Sequence, residues 1–413
     1  MNDANLKKNM LWNAAGNLIY LGCQWLVTVL VTNLGQFRDA GLLSIAMSVS
    51  ATFQTLAMFG IRSYQVSDIE NKYSNTCYVL FRLITCAAAL VGCMGFSLVT
   101  GYRGEQLLCI LLFMLFRLAE NFSDVLHGIA QKNDRLDVAG KSFAIKGVGL
   151  LVLFLLGYRL GGNLAVGLFA RAAFSIASTL VYDLPATRRV SDFRLSERGN
   201  RWLRLGRECL PLCAYLFLSS AMVTLPKLIL ERRCGGELLG AYSSIFAPAM
   251  LIQAAMGYVY NPFAQMLAAL RQKADHRGFL TLSAKITGAI LALALLMTVA
   301  AYFLGEFLLV LLFGDAIRPY VSLLIPILLA ITVTSLFGFL CMLAIVLRRF
   351  AWLLCSCGVG FVLCLVLSAP MIDAFSANGT SYALILATVV ACLILTCAIL
   401  WDLLSSNRTK KGD

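Results

Sequence analysis

Residues 106–131 read QLLCILLFMLFRLAENFSDVLHGIAQ, an apolar stretch long enough to cross a bilayer that nevertheless contains charged residues. Arg117, Glu120 and Asp124 follow at helical spacing (i, i+3, i+7), which places them on one helix face. Three charges near mid-membrane cost about 8–10 kcal/mol, and the Leu, Ile, Phe and Val residues of the stretch return only about 4–8 kcal/mol. The charged face must therefore contact other helices or a water-filled cavity rather than lipid.

The rest of the chain is equally apolar. Of its 413 residues, 60% are hydrophobic and 13% are charged, and the mean hydropathy is +0.82. Because apolar stretches able to cross about 30 Å of hydrocarbon recur throughout, we predict an all-α polytopic membrane protein with about 12 transmembrane helices. The predicted spans lie near residues 11–33, 40–60, 77–100, 106–130, 142–159, 163–185, 208–230, 239–265, 281–304, 319–346, 350–370 and 380–402.

The net charge of +13 arises from 34 Lys and Arg residues against 21 Asp and Glu residues. With the N-terminus placed inside, cytoplasmic segments hold most of the Lys and Arg residues and the outer loops hold few. This asymmetry follows the positive-inside rule, so we expect a multi-pass protein of the cytoplasmic membrane with both termini in the cytoplasm. The basic excess reflects topology, and we expect no nucleic-acid partner.

An arginine-rich segment, ATRRVSDFRLSERGNRWLRLGR (186–207), divides the chain into two halves. We predict an N-terminal six-helix lobe over 1–186, a basic cytoplasmic linker over 187–207 and a C-terminal six-helix lobe over 208–413. The stretches GLLSIAMSVSATFQ (41–54) and GAYSSIFAPAMLIQ (240–253) align without gaps and share Gly, Ser and Gln. Their equivalent positions in the two halves indicate a duplication with the same orientation in the membrane.

The sequence contains none of the motifs of a soluble enzyme that we sought. RLDVAGKS (135–142) ends like a phosphate-binding loop, but Arg135 occupies the position of the first glycine and no strand precedes it. His127 and His276 have no cysteine or histidine partners at metal-ligand spacing, and no nucleophile elbow occurs. We therefore expect no catalytic residue, no metal and no cofactor, and an energy source in a gradient or in substrate flux.

Two interpretations of the charges in span four stay open, and we favour the second. In the first, the three charges form a self-neutralised cluster that ties the helix to its neighbours. In the second, they line a cavity whose polar surface extends toward the cytoplasm through further residues of the same helix: Asn121, His127 and Gln131.

Cations in other spans also have alternative interpretations. Arg171 lies too deep in span six to reach the interface, so it is either a partner for Glu120 or Asp124 or a cationic group of the cavity. Lys227, near the outer end of span seven, either snorkels to the surface or faces the cavity. Three cations near cytoplasmic helix ends are expected to snorkel: Arg82, Lys146 and Lys285.

Three stretches carry a resemblance to a known family. They are residues 11–35 (LWNAAGNLIYLGCQWLVTVLVTNLG) with 39–68 (DAGLLSIAMSVSATFQTLAMFGIRSYQVSD), residues 116–142 (FRLAENFSDVLHGIAQKNDRLDVAGKS) and residues 225–253 (LPKLILERRCGGELLGAYSSIFAPAMLIQ). Together they resemble the Wzx-type polysaccharide flippases of the multidrug/oligosaccharidyl-lipid/polysaccharide (MOP) superfamily, especially the Gram-positive capsule and cell-surface branch. The span count, the basic linker and the order of the stretches extend the resemblance over essentially the whole chain.

This resemblance implies a MATE-like fold, with two six-helix lobes around a central cavity. It also implies movement of undecaprenyl-pyrophosphate-linked oligosaccharide from the inner to the outer leaflet. The expected partners are that lipid-linked oligosaccharide, membrane lipids and a polysaccharide polymerase. Lys227 stands where an arginine is often found, and a lysine does not make a forked contact with phosphate. The positions that match the family motifs are Arg62, Gln65, Asp68, Asp124, Gln131, Arg135, Pro226, Lys227 and Gly240.

The chemistry of such a substrate agrees with the charged spans. A lipid pyrophosphate needs a hydrated cationic cavity, where arginine makes forked phosphate contacts. We expect the substrate-binding cations to be Arg62, Arg117, Arg171 and Lys227. The expected coupling or cavity polar groups are Glu120, Asp124, Gln65, Asp68 and Gln131. The first two of these either bind a counter-transported cation or proton or preset the arginines.

We therefore predict a flippase for surface polysaccharide, of the capsule or lipopolysaccharide O-antigen kind, that works by alternating access. One alternative is a MATE-type multidrug or cation antiporter, which would favour an acidic cavity. Another is a peptidoglycan lipid-precursor flippase, which typically has fourteen spans. A membrane-embedded glycosyltransferase or polymerase usually exposes a large outer loop, and no loop of this chain is long enough.

Overall fold

The computed structural model describes residues 3–68, 72–133, 135–191, 201–260, 263–273 and 275–409, which are almost entirely helical and contain no strand. The predicted all-α polytopic fold is confirmed. The helices are α1 (Asp3–Met58), α2 (Ile61–Ser67), α3 (Asn75–Val99), α4 (Gly104–Lys132), α5 (Leu136–Gly161), α6 (Leu164–Ser178), α7 (Leu184–Arg188), α8 (Arg201–Cys234), α9 (Gly236–Tyr260), α10 (Ala264–Gln272), α11 (His276–Phe313), α12 (Leu324–Val346), α13 (Phe350–Phe375) and α14 (Ala377–Thr409). A π-helical turn, Thr179–Asp183, joins α6 to α7, and a 3₁₀ helix, Asp315–Leu323, precedes α12.

Within the described residues, 11 helical stretches are long and apolar enough to cross a membrane. Helix α1 contains two of them, Ala15–Leu34 and Phe37–Met58, and helical structure continues through the outer loop predicted between them. Helix α4, which carries Arg117, Glu120 and Asp124, is not among them, yet its 29 residues suffice to span the hydrocarbon. With α4 included, each of the twelve predicted spans coincides with a helix.

Several helix ends follow from local capping. The side chain of Ser74 accepts a hydrogen bond from Cys77 N at 3.0 Å at the start of α3, and Asn163 accepts one from Val166 N at 2.9 Å before α6. Asp275 caps α11 in the same way, through Gly278 N at 2.8 Å. These short polar side chains satisfy backbone N–H groups that the first helical turn leaves unpaired.

The chain divides into two compact units, Met1–Ser220 and Ala221–Asp413. In unit 1, α4 packs against α1, α3, α5 and α6, which buries most of its polar face inside the bundle. Helices α1 and α5 cross closely at glycines: a Cβ on Gly140 would collide with the backbone of Trp12, and one on Gly147 would lie 2.9 Å from Tyr20 Cα. Small residues at such crossings let membrane helices approach at backbone distance.

Unit 2 is built around α12, which contacts α9, α11, α13 and α14. Its buried residues are apolar except for Ser335, and they include Ile327, Ile331 and Phe339; α12 contains no charged residue. Helix α9 continues through Pro248 without interruption. The boundary between the two units falls inside α8, on the C-terminal side of the predicted linker, whose residues 192–200 lie outside the described part.

Candidate functional site: a charged cavity in unit 1

Asp124 of α4 is held by two arginines from different parts of unit 1. Its Oδ1 atom accepts a hydrogen bond from Arg62 Nη1 at 2.6 Å, and its Oδ2 atom accepts one from Arg82 Nη2 at 3.1 Å. Arg62 also donates to Gln131 Oε1 at 3.0 Å. The structure thus brings together Arg62, Asp124 and Gln131, three of the residues singled out from the sequence.

Arg82 was expected to snorkel to the cytoplasmic interface, and this prediction is wrong. The residue is 0% exposed, and its Nη1 atom donates to Ala57 O at 2.7 Å. A buried guanidinium needs a carboxylate and further acceptors, and Asp124 and the α1 backbone provide them. Sequence position alone suggested a residue near a helix end. The contact with Asp124 required knowledge of how α3 and α4 pack.

Glu120, one turn before Asp124, faces α1. Its Oε2 atom accepts a short hydrogen bond from the Tyr20 hydroxyl, and Arg117 Nη1 lies 3.5 Å from the same oxygen. The Arg117 guanidinium also stacks near two phenylalanine rings of its own helix, with centroids 5.2 Å and 5.3 Å away. Glu120 is therefore neutralised by an arginine and oriented by a tyrosine, a partner that the sequence had not indicated.

Arg171 of α6 is 3% exposed and lies against the same aromatic pair. Its guanidinium carbon is 4.1 Å from the centroid of Phe116 and 5.4 Å from that of Phe113. The side chain is within electrostatic range of Glu120 and Arg117. Among the described residues, no group accepts a hydrogen bond from the Nε atom of Arg171 or of Arg117. Both arginines thus retain donor capacity inside unit 1.

A cavity of about 190 Å³ opens beside these groups, large enough for several water molecules. It lies between α1, α4 and α5, and both Glu120 and Asp124 contribute to its wall. The lining residues are Tyr20, Gln54, Met58, Arg117, Glu120, Asn121, Ser123, Asp124, His127, Phe143 and Lys146. Asn121 and His127 lie in this wall beside the span-four charges, as the second interpretation expected, whereas Gln131 is not among the lining residues. The same charges are also paired with one another and with neighbouring helices, as the first interpretation expected, so the choice between the two stays a prediction.

A second buried ion pair closes the cavity on the side of α5 and α6. Lys146 Nζ lies 2.7 Å from Asp183 Oδ2, and it also donates to Thr179 Oγ1 at 3.1 Å and to Ser123. His127 Nε2 is 3.3 Å from the other carboxylate oxygen of Asp183. The prediction that Lys146 snorkels is wrong, since the residue is 2% exposed.

Asp183 was missed in the sequence because it stands near the end of an apolar span, where an acidic residue usually faces the interface. In the structure it ends the π-helical turn Thr179–Asp183 and is 0% exposed. Single π turns frequently occur at functional sites, because they redirect side chains out of the regular helical register. Lys285, by contrast, is exposed, as expected for a snorkelling lysine.

Gln65 and Asp68 lie toward the same end of α4 but make different contacts. Gln65 is buried and donates to Val125 O at 3.3 Å. Asp68 accepts hydrogen bonds from Lys72 N at 2.8 Å, from Tyr73 N at 3.1 Å and from the Tyr78 hydroxyl at 2.9 Å. These contacts tie the residue that follows α2 to Lys72 and Tyr73 and to the first turn of α3.

Burial by itself would raise the pKa of the Asp68 carboxyl. The hydrogen bonds from the Lys72 and Tyr73 backbone and from Tyr78, with the charge of Lys132, hold that pKa below its ordinary value. Asp68 is therefore a charged residue that orders a turn. It does not line the described cavity.

Lys227 lies in unit 2, in α8. Its Nζ atom is 3.6 Å from the ring centroid of Phe246 in α9. Arg135, also carried over from the family motif, pairs with Asp137 at 2.8 Å just before α5. The predicted substrate-binding cations thus fall into two groups: three in unit 1 and Lys227 in unit 2. Their role in binding stays a prediction.

Comparison with known proteins places this geometry in context. No protein-family profile matches the chain. A capsular polysaccharide biosynthesis protein, CapF of Staphylococcus aureus, is 26% identical over 309 residues, which cover 74% of this chain and 77% of that protein.

Solved structures of membrane transporters share the fold. The lipid II flippase MurJ, in an inward closed conformation, superposes with a TM-score of 0.71 at 12% identity and covers 96% of this chain and 89% of its own. An inward-facing multidrug resistance MATE transporter of the MOP superfamily gives 0.67 at 13% identity, with 97% and 96% covered. A mutant of the Vibrio cholerae MATE transporter VcmN gives 0.65 at 13% identity, with 97% of each chain covered.

The structural likeness extends over nearly the whole chain, whereas the sequence likeness is to a protein of capsular polysaccharide synthesis. These are the two properties that the three sequence stretches predicted. The chain therefore has the all-α fold that the MATE transporters and MurJ share, and its sequence is similar to that of a capsular polysaccharide biosynthesis protein, so the predicted resemblance is confirmed at these two levels.

Proposed function

We propose that this chain is a flippase that moves undecaprenyl-pyrophosphate-linked oligosaccharide from the inner to the outer leaflet by alternating access. Its product would serve the synthesis of a surface polysaccharide such as a capsule or an O-antigen-like polymer. The relative from Staphylococcus aureus, named for capsular polysaccharide biosynthesis, supports this choice of pathway. The MATE and MurJ structures support a transport mechanism for this fold.

The observation that carries the proposal is the excess of arginine over carboxylate in the contacts that Asp124 and Glu120 make in unit 1. Asp124 is shared by Arg62 and Arg82, and Glu120 contacts Arg117 with Arg171 close by. These two carboxylates are thus shared among four guanidinium groups, of which Arg117 belongs to the cavity wall. Buried charge is stable only when it is paired, so this arrangement favours an anionic ligand. A pyrophosphate linked to a lipid supplies that anion.

The contacts also suggest how substrate and coupling ion are connected. Asp124 contacts Arg62 and Glu120 contacts Arg117, so the carboxylates would preset the arginines. Phosphate oxygens would compete for the same N–H donors, since guanidinium groups bind phosphate in a forked geometry. A carboxylate released from its arginine would then be free to take up a proton or a cation from the cavity.

A MATE-type antiporter is the second candidate. Two carboxylates in the wall of a polar cavity are the feature that favours it, because a cationic drug requires such groups. Both carboxylates are already neutralised by arginines, which disfavours a cationic substrate. A peptidoglycan lipid-precursor flippase shares the pyrophosphate chemistry and the MurJ fold. It would differ in the sugar part of the substrate.

We place the chain in the cytoplasmic membrane with both termini in the cytoplasm, on the strength of the Lys and Arg distribution. The lobes would comprise residues 1–186 and 208–413, joined by the basic linker 187–207. A polysaccharide polymerase is the natural partner, because it would consume the oligosaccharide that reaches the outer leaflet.

Deletion of the gene tests the proposal. A deletion strain should accumulate undecaprenyl-linked oligosaccharide that is confined to the inner leaflet, measured by its protection from an impermeant sugar-oxidising reagent. Expression of the wild-type chain should restore surface polysaccharide. Normal surface polysaccharide together with increased drug sensitivity would instead indicate the antiporter. Accumulation of the peptidoglycan precursor would indicate the other flippase.

A further inference from the structure

Lys227 contacts an aromatic ring, whereas two buried cations of unit 1 contact carboxylates. Arg82 and Lys146 each bind a carboxylate, at 3.1 Å and 2.7 Å. Lys227, about two turns before the end of α8, has no carboxylate within ion-pair distance among the residues that the structure describes. Its recorded contact is with the face of Phe246, 3.6 Å from Nζ to the ring centroid.

An aromatic face and a carboxylate act differently on an ammonium group. A carboxylate offsets the positive charge, so an incoming anion must compete with it for the cation. The ring attracts the ammonium through its quadrupole but carries no net charge. The ring therefore holds the Lys227 side chain in one direction without supplying a counter-charge.

The ring itself is held firmly. Phe246 is 6% exposed and stacks on Tyr242 of the same helix, with centroids 5.9 Å apart and planes inclined by 21°. The Tyr242 hydroxyl is 3.0 Å from the Ser381 hydroxyl of α14, and both residues are buried. Contacts from α9 and α14 thus fix the ring on which Lys227 rests.

We infer that Phe246 is a positioning residue that presents the charged Lys227 ammonium to the pyrophosphate of the lipid-linked substrate. This inference rests on the proposed function. It accounts for the presence of lysine at this position. The ammonium is a compact charge that a single ring can orient, whereas a guanidinium binds phosphate through a planar fork of donors. The aromatic platform orients the cation without a carboxylate with which the substrate would have to compete.

The test is a double-mutant cycle on the full chain in nanodiscs, with undecaprenyl pyrophosphate as the probe. Phe246→Leu should weaken binding about 10-fold, and Phe246→Tyr, which keeps the ring, should bind like wild type. Lys227→Met should also weaken binding. The double variant Phe246→Leu/Lys227→Met should bind no more weakly than Lys227→Met alone, because the ring acts only through the lysine.

Matched controls separate positioning from a general loss of structure. Phe337 in α12 is also 6% exposed, and Phe337→Leu should leave the affinity unchanged. Undecaprenol, which has no phosphate, should bind wild type and Phe246→Leu equally. Wild-type affinity in Phe246→Leu, additive losses in the double variant, or an equal loss in Phe337→Leu would overturn the inference. Failure of the wild-type chain to bind undecaprenyl pyrophosphate would overturn the proposed function itself.

Discussion

Gln54 of α1 donates a hydrogen bond to the Asn121 side-chain carbonyl of α4, at 3.2 Å. Gln253 of α9 repeats this relationship in unit 2, where it donates to Thr334 of α12, also at 3.2 Å. The two glutamines are the pair that the sequence repeat aligned. Equivalent contacts in the two units support the predicted duplication. The surroundings differ, because α4 carries charges beside its contact and α12 carries none.

Arg117→Ala and Arg171→Ala should each reduce transport of lipid-linked oligosaccharide at least 10-fold without preventing membrane insertion. Both changes remove a positive charge from the interior of unit 1, and binding of a phosphate group depends on such charges. Transport is measured in proteoliposomes, and insertion by the amount of folded protein in the membrane fraction. Arg159→Ala, at an exposed position of α5, is the control and should transport normally. Full transport by both cavity variants would show that these cations do not bind the substrate.

Asp124→Asn should destabilise unit 1 by about 3–5 kcal/mol, because Arg62 and the fully buried Arg82 would lose their shared carboxylate. Thermal unfolding of the purified protein in detergent measures the effect as a lower midpoint. Glu105→Gln is a suitable comparison, because Glu105 meets Arg38 at 3.5 Å with both side chains exposed. Such a surface pair contributes only about 0–1 kcal/mol. Equal midpoints for the two variants would exclude a stabilising role for the buried network.

The turn at Asp68 should make stability depend on pH. Because the pKa of this carboxyl is lowered in the folded protein, its ionised form stabilises the fold at any pH above its unfolded value of about 3.9. That contribution is lost as the pH falls through the folded pKa. Asp68→Asn should therefore unfold at a lower temperature than wild type at pH 7, and the difference should shrink below about pH 4. A difference that is independent of pH would show that charge at Asp68 does not matter.

Gly140→Ala should destabilise the crossing of α1 and α5 by about 1–3 kcal/mol, because its Cβ would collide with the Trp12 backbone. Tyr20, whose hydroxyl orients Glu120, packs along the same crossing, so transport should fall as well. Gly288→Ala in α11 is the control. No atom lies within 4 Å of its added Cβ, and its unfolding midpoint should stay level or rise slightly. Similar midpoints for the two variants would contradict tight packing at Gly140.

Much of the fold could be predicted because hydropathy acts locally. Each apolar stretch must form a helix in lipid, since its backbone groups find no other partners there. The charged face of α4 could also be predicted to turn away from lipid, because charged side chains are costly in hydrocarbon. The continuous helix that joins the first two spans within α1 could not be predicted. A loop is expected between two spans, but helical hydrogen bonding can continue through that segment.

The sequence by itself determined that this chain is a helical membrane protein, that α4 turns a charged face away from lipid and that three stretches resemble polysaccharide flippases. Tertiary structure alone decided which charges meet. Arg82 and Lys146 were expected at the interface from their distance to a helix end, and Asp183 was not expected inside at all. Their burial depends on carboxylates and cations contributed by other helices. Such pairing is a property of how distant segments pack, and no local pattern in the sequence encodes it.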